Sequence, residues 1–132
     1  MRGGATLLGC GLALAGCGSS GHFADEPRPA TPVNLTVYID NDRVLVSPRA
    51  VGAGPIVFLV TNQANGAESL TIRSTGGETL AQTEPINPGS IAQVQVDLAS
   101  GSYQVQAGTP IPAARLLIGR PRPSSDGALL QP

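Results

Sequence analysis

The chain has 132 residues, the length of one ordinary domain. Hydrophobic residues make up 41% and charged residues 13%, about half the usual charged share, which excludes disorder throughout. Net charge is −1, with no lysine, no basic stripe and 3% aromatic residues, so nucleic acid meets neither clustered cations nor a stacking platform. One histidine, His22, and two cysteines, Cys10 and Cys17, leave little for nucleophilic or metal chemistry.

Met1 and Arg2 give a short positive start, and Ala5 to Ala15 an apolar run of about eleven residues, where a membrane-spanning helix takes roughly 20. A charged start, an apolar stretch and small residues at its end read as a secretory leader over residues 1–16. It closes on Leu14-Ala15-Gly16-Cys17, which resembles the bacterial lipobox. Leu14 suits an apolar subsite of a membrane peptidase, and Ala15 and Gly16 let the backbone enter it. The Cys17 thiol then accepts a diacylglyceryl group as a thioether. Leu7-Leu8-Gly9-Cys10 is a poorer match, with too little apolar sequence before it. Cleavage before Cys17 discards Cys10, so no disulfide is expected. Two acyl chains at about 0.8 kcal/mol per buried methylene anchor stably, where one is marginal. The expected location is the extracytoplasmic face of a bacterial cell membrane.

Residues 17–32 combine the lipidated cysteine with a glycine-, serine- and proline-rich linker. His22 lies in it and reads as solvated. From Val33 the pattern changes to period two: Val33, Leu35, Val37 and Ile39 alternate with polar residues. Asp40-Asn41-Asp42 turns the chain into a strand over Arg43 to Val46, ended by Pro48. Val51-Gly52-Ala53-Gly54-Pro55 reads as a loop before Ile56 to Val60, a continuous apolar strand suited to a sheet centre. Short strands follow over Ser69 to Arg73 and Thr79 to Thr83. Ala92, Val94, Val96 and Leu98 then alternate with Gln93, Gln95 and Asp97. Tyr103 to Ala107 and Ala114 to Gly119 complete the set. About eight strands at intervals near ten residues predict an all-β, antiparallel Greek-key sandwich over residues 33–119, with a proline-rich tail over 120–132.

Three landmarks carry a resemblance over this span. Val51-Gly52-Ala53-Gly54-Pro55 precedes an apolar strand ending Val60-Thr61-Asn62; Pro88-Gly89-Ser90 opens the alternating strand; Gly101-Ser102-Tyr103 leads into the next. In this order and spacing the domain resembles cupredoxin-like domains of bacterial envelope proteins. The resemblance implies a copper-ligand histidine six residues after the asparagine and a cysteine four after the tyrosine. Those positions hold Glu68 and Ala107, and Gly108-Thr109-Pro110-Ile111-Pro112 offers neither histidine nor methionine. Blue copper needs two imidazoles and a thiolate, which a carboxylate and a methyl group do not replace. The resemblance therefore extends to the fold and not to electron transfer. Glu68 and Ala107 mark the positions of a former metal site, with Glu68 read first as a solvent-facing loop carboxylate.

Asp40 and Asp42 could offer oxygen ligands to calcium, but the glycine and distant glutamate of an EF-hand loop are missing, and a turn explains them. Without a histidine in the domain, no serine has a base for Ser–His–Asp hydrolysis. Glu78, Glu84 and Asp97 lie on separate strands or turns. Tyr103 is expected to bury its ring and bond its hydroxyl to a nearby loop backbone. The reading is a membrane-anchored, non-catalytic module with no cofactor that binds an envelope protein or lipid. A carrier or sensor of a small apolar ligand or lipid is the alternative, and a metalloprotein with nonstandard oxygen ligands a third.

Overall fold

The structure, a computed structural model, describes residues 28–124. Cys17, His22, the leader, most of the linker and the end of the tail lie outside the described residues. Eight strands run in chain order: β1 Val33–Ile39, β2 Val44–Ser47, β3 Ala50–Asn62, β4 Thr71–Ser74, β5 Thr79–Gln82, β6 Ile91–Leu98, β7 Gly101–Gln106 and β8 Ala114–Pro121. No helix occurs among the described residues.

Alternation decides the faces. Leu35, Val37 and Ile39 of β1 are buried while Asn34, Thr36 and Tyr38 are exposed. Val44 and Val46 of β2 point to the same core. The two strands form the expected antiparallel pair, Thr36 opposite Ser47 and Ile39 opposite Val44. Its turn is held by Asp40, whose Oδ1 accepts the N–H groups of Asp42 (2.8 Å) and Arg43 (2.9 Å).

β3 departs from expectation. Residues 51–55, read as a loop, are extended and belong to one 13-residue strand serving both sheets. Ala50 to Gly52 pair in parallel with Leu117 to Gly119 of β8. Beyond a register shift at Gly52/Ala53, Gly54 to Thr61 pair antiparallel with β6, and Ile56 to Asn62 pair in parallel with β1. Gly54 has φ +132°, which only glycine adopts without strain, so the residues that suggested a loop let one strand bend between sheets.

The sandwich is thus formed with two parallel contacts, β1–β3 and β3–β8, among its antiparallel ones. The first sheet runs β2-β1-β3-β6 and the second β3-β8-β7-β4-β5. The cause is the corner after β2: the chain recrosses to the far side of β1, so β3 runs alongside it in the same direction. β8 continues to Pro121, two residues past Gly119.

Phe58, Leu35, Ile39, Ile56, Leu70, Ile72, Leu98 and Leu116 fill the space between the sheets and are all but shut off from solvent. Each such side chain contributes about 1.5–3 kcal/mol on burial. Tyr103 is buried beside them and donates its hydroxyl to Ala99 O at 2.8 Å, as expected.

Candidate functional site

The two positions singled out as a former metal site meet at one end of the sandwich. Asn62, the last residue of β3, builds the floor. Its amide is fully buried; Nδ2 donates to Gly66 O (2.8 Å) and Ile86 O (2.7 Å), and Oδ1 accepts from Ala64 N (2.9 Å). The Asn62 backbone is also engaged, N–H to Ser90 O and C=O from Gly89 N. One side chain therefore ties the loop after β3 to the loop before β6. In the sequence Asn62 is a landmark, and its phase signals its role: it follows Val60 by two residues and points inward with it.

Glu68 stands on this floor. Its backbone exchanges hydrogen bonds with Ile86, Glu68 N to Ile86 O at 3.1 Å and the reverse at 2.8 Å. That bridge holds the side chain toward the loop after β7, where Oε2 accepts the Gly108 N–H at 2.8 Å. Glu68 is half-buried, so the solvent-facing reading is corrected: the Ile86 bridge turns its carboxylate inward. A Cβ on Gly108 would overlap Oε2, so the contact requires glycine there. Ala107 is buried next to it, and Ile111 closes the loop through its N–H to Gly108 O (3.0 Å).

These residues do not fit copper. Glu68 Oε2 is committed to a backbone donor, and the Ala107 methyl has no lone pair. The link between the two loops is a carboxylate–amide hydrogen bond. Among the described residues no group of three or more histidine, cysteine, aspartate or glutamate side chains could hold a metal ion.

Asp40 is used structurally. Besides the Asp42 and Arg43 amides, its Oδ2 accepts Arg43 Nε at 3.2 Å. The Asp42 N–H, with smaller help from Arg43, holds its carboxyl below the ordinary value of 3.8.

A separate groove of about 540 Å³ runs between β2 and β8. Leu45, Pro112 and Leu117 supply apolar surface, and Arg43, Arg49 and Arg115 supply charge. Arg49 and Arg115 make no side-chain hydrogen bond or ion pair among the described residues.

No protein-family model matches the chain. No curated protein matches it either. Among solved structures it is similar to auracyanin A, a "blue" copper protein of the green thermophilic photosynthetic bacterium Chloroflexus aurantiacus. The identity is 12% and the TM-score 0.53, over 67% of this chain and all of that one. It is also similar to the auracyanin of Roseiflexus castenholzii, at 10% identity and TM-score 0.48, over 68% of this chain and 98% of that one. An amicyanin variant aligns at 12% identity and TM-score 0.36, over 72% and 87%. The domain is a cupredoxin-like β-sandwich.

Proposed function

We propose that the chain is a membrane-anchored, non-catalytic binding or structural module of the bacterial envelope, a cupredoxin-like domain without copper chemistry. The observation that carries this reading is the Glu68–Gly108 hydrogen bond beside buried Ala107, which occupies the end of the fold where the resemblance places copper. The anchor is the acylated Cys17, and residues 17–32 are its tether. Roughly 3.1 Å per extended residue lets that tether hold the domain well clear of the lipid surface. Two measurements on the full chain test this. Mass spectrometry is expected to find Cys17 as the first residue, carrying acyl chains, and Cys17→Ala to move the protein out of the membrane fraction. Titration with Cu(II) is expected to give no intense blue absorption. An unmodified Cys17 in membrane-derived protein overturns the anchor, and a stoichiometric blue copper complex overturns the rest.

The groove between β2 and β8 favours a second reading, a carrier or sensor of an apolar ligand with an acidic head. Leu45 and Leu117 would take the chain and Arg49 and Arg115 the head. Native mass spectrometry of protein extracted from its own membranes, with and without Arg49→Ala/Arg115→Ala, decides it: a bound anionic amphiphile lost in the variant supports it, and none in either overturns it.

A further inference from the structure

Besides β3, which ends the second sheet where it crosses from the first, three strands end a sheet, and two of these are protected against further pairing. β2 has four residues and meets Pro48 directly after Ser47. β5 also has four, its register with β4 is broken at Ile72/Arg73, and Pro85 follows shortly. Short length, irregular register and proline are the ordinary means of stopping edge-to-edge association. β6 has none of them. It runs eight residues in unbroken register with β3, from Leu98 opposite Gly54 to Ile91 opposite Thr61. It contains no proline and no cation, and Asp97 is its one charge.

The ladder's phase shows which groups face outward. Asn62 N–H bonds Ser90 O, so alternation directs residues 92, 94 and 96 toward β3. The N–H and C=O groups of Ile91, Gln93, Gln95 and Asp97 then face away from the sheet. Ile91 is 73% exposed. On the inner face Ala92, Val94 and Val96 are only partly buried, and Ala92 and Val94 line an open groove of about 440 Å³ whose other wall is Gln82 to Asn87.

We propose that β6 is a strand-addition edge on which a second copy of this chain pairs antiparallel, continuing the first sheet through a two-fold axis at Val94. The edge is complementary to itself in that register. Gln93 faces Gln95 of the second copy, so the two amides bond across the strands. Ile91 faces Asp97, so the carboxylates never meet. On the inner face Val94 meets Val94 and Ala92 meets Val96, closing over the half-exposed apolar row. The pairing is independent of the anchor.

The test uses the full chain in detergent, with mass measured by light scattering and amide exchange followed residue by residue. The parent is expected at twice the monomer's protein mass, with Ile91, Gln93, Gln95 and Asp97 amides exchanging at least about tenfold more slowly than on dilution to monomer. Gln93→Lys/Gln95→Lys sets ammonium groups opposite one another across the axis, and is expected to halve the mass with an unchanged circular dichroism spectrum. Gln95→Pro removes one outward donor and is expected to do the same; if it fails to fold, the lysine variant decides. A monomeric parent, a dimer surviving the lysine substitutions, or a dimer with those four amides unprotected overturns the proposal. So does protection that arises only with a different envelope protein, which would assign the edge to a foreign strand.

Discussion

At Asn62 a solvent-free amide makes three hydrogen bonds, two as donor and one as acceptor, all to backbone groups of loops. Asn62→Leu keeps the size but leaves Gly66 O and Ala64 N without these partners and Ile86 O with the Glu68 N–H alone. Chemical denaturation should show a loss of about 2–4 kcal/mol. Glu68 and Gly108 form the second joint, and they are coupled sterically as well as by hydrogen bonding. Glu68→Ala should cost about 1 kcal/mol, because the half-buried carboxylate is partly screened. Gly108→Ala should destabilise by pressing its methyl against Glu68. The double variant should cost less than the sum of the single losses, since the clash disappears with the carboxylate; additive losses would show that the residues are not in contact. Asp40 adds a pH term. Its folded-state carboxyl lies below the ordinary value of 3.8, so its contribution is complete above that value and is lost as the solution is acidified through the lowered one. Between neutral pH and strong acid the parent should therefore lose more stability than Asp40→Asn, and parallel profiles would contradict the turn's role.

Among the strands, legibility followed periodicity. β1, β6 and β7 each carry a clean alternation, and their residues took the faces that alternation assigns. The first half of β3 was illegible because Gly52 and Gly54 remove the apolar pattern and resemble a turn. In the structure they serve close approach and backbone bending. A Cβ at Gly52 would lie 2.6 Å from Arg122 Cγ and 2.8 Å from Arg120 O, and Gly54 holds a positive φ. Gly54→Ala should accordingly destabilise by at least about 1 kcal/mol, and faster amide exchange should appear at the β3–β8 junction before it appears in β7. The parallel partners of β3 were equally hidden, since local alternation says which side of a strand is apolar and nothing about its neighbours' direction.

For the whole molecule, the fold was legible from the order of its loop landmarks, and the end between the loops was legible only as a list of missing ligands. What fills that end joins Glu68 to a backbone amide 40 positions later, a pairing that no local pattern announces. The three-way use of Arg122 is similar: it donates to Gly52 O at 3.1 Å, Pro55 O at 2.5 Å and Thr31 O, closing the sandwich with residues expected to be tail. This clasp bears on mechanics. Thr31 stands two residues before β1, so a pull arriving from the preceding chain first meets a guanidinium bolted to β3. It then meets a strand flanked on both sides, by β2 and β3, whose bonds must be sheared together rather than peeled one by one. A domain pulled through that segment would thus take the load along β1 rather than across it.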